Sequence, residues 1–510
     1  MDASYYTNGA QSQDCARYTA KRAALSSCAM AHEEIALQTA NHEPQAASGS
    51  AFIETFGCQM NVLDSELAGA TLAEAGFSVK PANASGRGMG DADVIMVNTC
   101  SVREHAEQKA YSFLGRAYRL KKQNPKLVIA VLGCMAQKEG ALIFKRAPYV
   151  DIVAGTQHFT KIDEYVARVK KNRERILAIG RDDEVVSAKR YRLRDGRHSL
   201  QVAVMRGCDH HCTFCVVPNT RGAEQSKPFD EVVKECEILV GGGAREITLL
   251  GQNIDSYGKR LTPRKTLAEL LHAVAKVPGL DRLRFITSHP ADLKPDLFSA
   301  FKEIPNLMPY LHFPAQSGSD RILRAMRRGY TFDDYMRLVD KAREACPEIG
   351  LAGDTIVGFP TESDTDFERT LELHRRAEYQ NAFVFTYSHR EFTPAEKMEL
   401  KDDVPEQVKN ERVNELLRVQ REVSERVLAR HVGKVMPVLF DRAAEVRDSS
   451  SETRDGSSEP RTSNLETRMA DGRSPQNLPV HVNAGRDLTG EIASVRITRA
   501  TGLALYGELV

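Results

Sequence analysis

Residues 200–222 read LQVAVMRGCDHHCTFCVVPNTRG, and the placement of three cysteines in this stretch decides the architecture. An apolar, strand-like run, LQVAVM, leads into Cys208, Cys212 and Cys215, spaced C-x3-C-x2-C. A tight loop at the end of a strand can aim three thiolates at one centre. Soft thiolates suit zinc or an iron–sulfur cluster. Structural zinc takes four ligands, often as paired C-x2-C units. No second pair follows here, so zinc would need His210 or His211. Three thiolates on a four-iron cubane instead leave one iron open to chelate a small molecule.

Downstream, strand-like and helix-like segments alternate. Strand signals fall at REITLLG (245–251), RLRFITSH (282–289), YLHFPAQ (310–316), GLAGDTIVGF (350–359) and AFVFTYS (382–388), with an amphipathic helix between each pair. Counting the strand at Leu200, six strand–helix steps precede residue 388. A complete eight-step barrel usually needs about 250 residues. The expectation is an incomplete parallel (β/α)6 barrel over 199–432, closed by a long amphipathic helix over 408–433. The sites of such barrels lie at the C-terminal strand ends. That singles out Gln252 and Asn253, Ser288 and His289, Gln316 and Ser317, and Gly358.

Upstream, AFIETF (51–56), DVIMVN (93–98), KLVIAVL (126–132) and VDIVAG (150–155) alternate with helical segments at 64–77 and 103–123. This predicts an open parallel α/β sheet over 49–165. Cys58, Cys100 and Cys134 each close one of its strands, 42 and 34 residues apart, one βαβ step each. Parallel strands end at one edge, where ligands of open α/β sheets bind. The three thiols are therefore expected to converge on a second centre.

Residues 166–198 read as a basic linker, with five basic residues and one acid in KRYRLRDGR (189–197). After Gly433, KVMPVLFD, LPVHVNA, TGEIASVRITRA and LALYGELV predict a small antiparallel β barrel over 433–510. A Ser-, Arg-, Asp- and Glu-rich stretch, 447–476, reads as a flexible insertion in it, and residues 1–48 as a disordered extension with Cys15 and Cys28 as spectator thiols. The whole is thus a multidomain α/β protein.

The 510 residues are 42% hydrophobic and 27% charged, with a net charge of +1, which excludes a wholly disordered or fibrous chain. No run of about 18 apolar residues is present, so no membrane span is expected. The first 28 residues lack an apolar signal core, and cytoplasmic residence follows as the expectation, with the ten cysteines as metal ligands or core thiols. Cys236 and Cys346 read as core thiols, and Gly241-Gly242-Gly243 as a helix stop rather than a phosphate loop. Arg116, Arg119, Lys121, Lys122 and the 189–197 run are the candidate cationic surface for RNA phosphates.

C-x3-C-x2-C after the first strand of a partial barrel, with the aromatic Phe214 before the third cysteine, resembles the radical S-adenosylmethionine superfamily. TFGCQMNVLDSE, NTCSVREHAEQK, LGCMAQKEG, LLGQNIDSYG, TSHP, LHFPAQSGSDRILRAMRRGYT and DTIVGFPTESDTDF resemble its methylthiotransferase family over about residues 50–510. GCQMN and NTCSVRE are most similar to the branch acting on N6-dimethylallyladenosine of tRNA. The C-terminal segment resembles that family's TRAM domain, with Gly472-Arg473 in place of its glycine–arginine loop.

The resemblance implies two 4Fe-4S clusters. One sits on Cys208, Cys212 and Cys215 and, with S-adenosylmethionine, generates a radical; the other sits on Cys58, Cys100 and Cys134 and supplies sulfur. Phe214, Gln252, Asn253, Gln316, Ser317 and Gly358 would hold the S-adenosylmethionine. The implied reaction is methylthiolation at C2 of N6-dimethylallyladenosine beside the anticodon. The implied partners are tRNA and an electron donor such as flavodoxin or ferredoxin, and the expected state is a monomer. The rivals are the same chemistry on threonylcarbamoyladenosine or a ribosomal protein, an electron-relay second cluster without sulfur transfer, and a zinc-stabilised RNA-binding protein without activity.

Overall fold

Strong β-branched runs and the helices between them set the first layer of the structure. The computed structural model describes residues 49–81, 89–101, 104–180, 197–398, 400–441 and 469–510. The expectations for 1–48 and for most of 189–197 lie outside these residues. Strands β1 (Gly49–Phe56), β2 (Phe77–Pro81), β3 (Val94–Thr99), β4 (Val128–Gly133), β5 (Ile152–Ala154) and β6 (Ile176–Ala178) form a sheet ordered β2-β1-β3-β4-β5-β6. Every pairing is parallel. β3 (VIMVNT) and β4 (VIAVLG) are buried at every position, because helices cover both faces.

Those helices are α1 (Gln59–Glu74), α2 (Glu104–Gln123), α3 (Cys134–Glu139), α4 (Leu142–Arg146) and α5 (Ile162–Asn172). α1 and α5 bury Ala68, Leu72, Tyr165 and Val169 against one face. α2, α3 and α4 bury Phe113, Leu114, Met135 and Ile143 against the other.

Two boundaries differ from the sequence reading. α1 starts at Gln59, directly after Cys58, because Met60 and Leu63 extend its buried stripe. Residues 166–178, expected in the basic linker, are instead most of α5 and the sixth strand β6. α5 buries Ile162, Tyr165, Val166 and Val169, an i, i+3, i+4, i+7 stripe under a basic outer face.

The second layer is the partial barrel. Its six parallel strands are β7 (Ser199–Ala203), β10 (Glu246–Leu250), β11 (Arg282–Phe285), β12 (Tyr310–His312), β13 (Gly350–Val357) and β14 (Asn381–Thr386). They run as β11-β10-β7 and β12-β13-β14. The halves are joined where Ser288 N–H donates to the His312 carbonyl at 3.2 Å and Met308 N–H to that of Leu283 at 2.9 Å. A short antiparallel ribbon, β8 (Met205–Arg206) with β9 (Gln225–Ser226), brackets the cysteine loop and was not expected from the sequence. The helices of this region are α6 (Val217–Thr220), α7 (Phe229–Gly241), α8 (Leu267–Val274), α9 (Pro295–Glu303), α10 (Asp320–Ala325), α11 (Phe332–Ala345), α12 (Asp364–Ala377), α13 (Pro394–Lys397) and α14 (Glu406–Ala429). Thr266, Thr331 and Ser363 open α8, α11 and α12 with reciprocal caps, each contributing about 1 kcal/mol. Gly242 ends α7, so the triple glycine is a helix stop, and Cys236 is buried in the barrel core.

The third layer is a closed barrel ordered β15 (Val435–Phe440), β16 (Met469–Arg473), β17 (Pro479–Asn483), β19 (Leu505–Leu509), β18 (Ile492–Ala500). Its pairs are antiparallel except β17 with β19, which run parallel. Residues 469–473 of the expected insertion are strand β16, and 447–468 lie outside the described residues. Gly472-Arg473 is accordingly strand rather than loop.

This barrel closes the N-terminal mouth of the central one. Arg282 donates to the carbonyls of Arg473 and Pro437, and Arg284 to those of Ser474 and Pro475, at 2.6–2.8 Å. Glu246 pairs with Arg284 at 2.9 Å. The opposite, C-terminal mouth faces α1, whose Met60 and Leu63 pack on Ala203, Leu250 and Ile286 at the strand ends. Both cysteine sets therefore belong to one junction.

Candidate active site

Cys208, Cys212 and Cys215 occupy the loop after β8. The Cys215 N–H donates to the Cys212 carbonyl at 3.0 Å, which folds the loop on itself. Burial, with the neighbouring thiols adding repulsion, pushes Cys208 and Cys215 up to about 12. Arg328 donates to the Cys212 sulfur at 3.3 Å and to the Pro314 carbonyl at 3.0 Å. His210 does not complete a zinc set with its Nε2, which bonds Asp292 at 2.6 Å, and its ring stacks on His289 at 3.9 Å. His211 is exposed. The three-thiol donor set fits a cluster with one open position.

Around this loop the expected cofactor residues divide. Phe214 packs into an apolar group with Ile322, Met326, Phe359 and Tyr387. Gln252 accepts from the Gly207 N–H at 2.6 Å, and Asn253 donates to Asp292 at 2.5 Å. Gln252 Nε2 and Asn253 Oδ1 are buried without a partner among the described residues. A buried polar atom left unsatisfied is costly, so this pair fits a polar ligand group. Gln316, at φ +73°, is half-buried and pairs through its backbone with β13. Ser317 is committed to the turn before α10, accepting from Ser319 N–H at 3.2 Å. Gly358, at φ +69°, donates to Glu362 at 2.6 Å, and a Cβ there would meet Lys409 at 2.4 Å. Ser288 and the His289 N–H both bond the buried Asp255.

The second set sits at the carboxyl edge of the N-terminal sheet. Cys58 caps α1, Cys100 follows β3 and Cys134 opens α3. A hydrogen bond with Cys100 holds Cys58 down to about 6, against the cost of burial and with help from the Arg221 charge. Burial raises Cys134, and Arg221 partly offsets it. Three thiols brought together at one sheet edge form a donor set that fits a metal cluster.

Sequence reasoning missed Arg221, Asp64, Asn61, Asn98 and Arg328. Each lies inside a quoted motif, but its partner is remote: Arg221 bonds Asp64 at 2.7 Å across 157 residues. Of the expected cationic helix, Lys121 is tied to Asp151 and Lys122 lies over the Tyr118 ring at 4.7 Å.

Residues 202–374 match the Radical SAM superfamily, and residues 50–155 match the Uncharacterized protein family UPF0004. A tRNA-2-methylthio-N(6)-dimethylallyladenosine synthase of Syntrophotalea carbinolica is 39% identical over 466 residues, spanning 90% of this chain and 100% of the relative. The chain belongs to this synthase family. The relative of the same name from Agrobacterium fabrum is 40% identical over 477 residues, 91% of this chain and 98% of its own. Among solved structures, the radical S-adenosylmethionine methyltransferase TsrM of Kitasatospora setae shares the fold, with a TM-score of 0.51 at 14% identity over 68% of this chain and 76% of that one. Among the described residues no helix is long and apolar enough to cross a membrane.

Proposed function

We propose that Cys208, Cys212 and Cys215 hold the radical-generating cluster, and Cys58, Cys100 and Cys134 the sulfur-supplying one. The observation that carries this reading is the junction itself: the Cys208 N–H donates to the Gly222 carbonyl at 3.2 Å, and the preceding Arg221 bonds Asp64 on the helix that Cys58 caps. The enzyme is a radical S-adenosylmethionine transferase that methylthiolates N6-dimethylallyladenosine of tRNA, with two 4Fe-4S clusters and S-adenosylmethionine as cofactors. When bound, these groups supply a hydrogen-abstracting radical and a methylated sulfur, which ordinary acid–base side chains cannot provide for an unactivated C–H bond.

The chain's own residues orient and enclose. The free Asn253 Oδ1 and Gln252 Nε2 suit the amino and carboxylate ends of the cofactor's methionine. The apolar group around Phe214 and Phe359, with Gly358 beside it, suits its adenine, and Gln316 with Ser317 the ribose side. Met60 and Leu63 against Leu250 keep water from the junction. The target is C2 of the adenosine beside the anticodon, where a loop base can be splayed into a pocket. A flavodoxin- or ferredoxin-like donor supplies electrons, and the enzyme acts as a cytoplasmic monomer.

The test is nucleoside mass spectrometry on tRNA from a bacterial host that makes dimethylallyladenosine but lacks its methylthio derivative. Expression of this chain should restore the methylthio nucleoside. If it stays absent while the protein cleaves S-adenosylmethionine, the substrate is another adenosine or a ribosomal protein.

A further inference from the structure

Arg221 reaches from the barrel to the Cys58–Cys100–Cys134 set, whereas the cation beside the Cys208–Cys212–Cys215 set is Arg328. Arg221 follows α6 in the barrel, 3% exposed, and donates through Nη2 to Oδ2 of Asp64, which is 1% exposed on α1. Asp64 lies on the helix that Cys58 caps. The guanidinium lies beside both Cys58 and Cys134, and the Asp64 carboxylate lies beside Cys134. Arg221 Nη1 is buried with no oxygen or nitrogen partner among the described residues, and the guanidinium's further contact is with the Cys134 side chain.

A staple between domains accounts for the Asp64 contact alone. It leaves the contact with Cys134 unexplained, and well-packed apolar residues often staple as well as a buried ion pair. A fixed positive charge inside low-dielectric protein, beside thiols that carry negative charge when they bind metal, does account for both.

We propose that Arg221 is a positioning residue for the Cys58–Cys100–Cys134 centre, its guanidinium setting the reduction potential of the cluster held there, with Asp64 as the opposing pole. This rests on the two-cluster reading above. Adding one electron makes a cluster more negative, with no bond made or broken in the protein. A nearby cation stabilises that reduced form and raises the potential, and a nearby anion lowers it. Net charge and hydrogen bonds to sulfur are the established levers on such potentials.

The two poles therefore give opposite outcomes. The holoenzyme is titrated potentiometrically with electron paramagnetic resonance as readout, alongside iron analysis. The cluster whose signal changes on adding S-adenosylmethionine is the internal reference. Arg221→Gln should lower the potential of the other cluster and leave the reference unmoved. Asp64→Asn should raise it. Arg221→Lys should recover most of the wild-type value. If Arg221→Gln fails to retain the cluster, Asp64→Asn and Arg221→Lys still decide. Shifts of the same sign in the Gln and Asn variants, or potentials unmoved in variants that keep their iron, overturn the proposal alone. A wild-type protein with only one cluster fails the two-cluster reading itself, and the proposal with it.

Discussion

Asn61 and Asn98 exchange hydrogen bonds beneath the three strand-end cysteines. Asn61 Nδ2 donates to Asn98 Oδ1 at 3.1 Å, and Asn98 Nδ2 donates to the Asn61 carbonyl at 2.9 Å and to Ser65 Oγ at 3.0 Å. Asn61 Oδ1 in turn accepts from the Cys58 thiol at 3.2 Å. One residue comes from the GCQMN segment and the other from NTC, so two motifs lock each other through side chains with no exposure. Replacing Asn98 by Ala leaves the Asn61 side-chain N–H unsatisfied in a buried site, while Ser65 keeps its bond to Thr55 at 2.7 Å. The expected cost is about 1–3 kcal/mol. A lower thermal midpoint, with iron lost from the Cys58 set before the Cys208 set, is the expected result. An unchanged midpoint would show that the pair contributes nothing.

Gly133 immediately precedes Cys134 at φ +89° and ψ −155°, a region that essentially only glycine occupies. A Cβ there would fall 2.1 Å from Asn98 Oδ1 and 2.9 Å from the Thr99 carbonyl. Gly133→Ala is therefore expected to cost more than the strain alone, which is about 1–3 kcal/mol. Gly115→Ala, on α2 with open space around it, is the control and should stabilise slightly. Circular-dichroism melting of both variants checks this. Equal midpoints for the two would contradict it.

The two thiol sets predict separable losses. Cys208→Ala should abolish 5′-deoxyadenosine formation from S-adenosylmethionine while leaving the Cys58 set loaded. Replacing Cys58, Cys100 and Cys134 together by Ala should remove about half the iron and all methylthiolation, yet keep cofactor cleavage, since 4Fe-4S sites load on their own thiolates. Chromatographic assay for 5′-deoxyadenosine, with iron analysis, separates these outcomes. Retention of full iron in the triple variant would remove the second centre from those cysteines.

Much of this site was legible because cysteines at strand ends are a local signal. Each of Cys58, Cys100 and Cys134 closes its own apolar run, and parallel topology alone brings the three together. The six-step alternation likewise needs only local periodicity. What was illegible depends on remote partners. Asp64 and Arg221 are 157 residues apart, and Glu246 finds Arg282 and Arg284 only across strands. α5 was legible in principle from Ile162, Tyr165, Val166 and Val169, but its lysines and arginines matched a linker composition. The parallel pairing of β17 with β19 follows from barrel closure, which no run of sequence encodes.

Asp255 gives a pH signature. Burial pushes its carboxyl up to about 7, although the His289 N–H and Ser288 hydroxyl oppose the shift. An unfolded Asp titrates near 3.9. Between about pH 4 and 7 the folded chain thus keeps a proton that the unfolded chain has lost, and this contribution to stability falls as pH rises. Asp255→Asn removes the slope, which amounts to at most about 1.4 kcal/mol per pH unit. The variant should gain on the wild type in thermal midpoint from pH 4 to 7. A difference that stays constant over that window would mean that Asp255 ionises normally.

Glu246 anchors the clamp that seats the C-terminal barrel. It is 4% exposed and held below the usual carboxylate range, burial being outweighed by Arg284 and Arg282. Arg284→Met removes its closest cation and frees the carbonyls of Ser474 and Pro475. Breaking one side of a buried pair typically costs about 3–5 kcal/mol, and Arg282, 3.8 Å from Glu246, lessens that cost here. Changing Glu246→Leu together with Arg284→Met leaves the fully buried Arg282 without its carboxylate and should cost more than Arg284→Met alone. Limited proteolysis reads the result at the base of the barrel: cleavage between the central and C-terminal barrels should rise in the single variant and rise further in the double. A double variant no more labile than the single would show that the carbonyl contacts of Arg282, rather than the charge balance, hold the two barrels together.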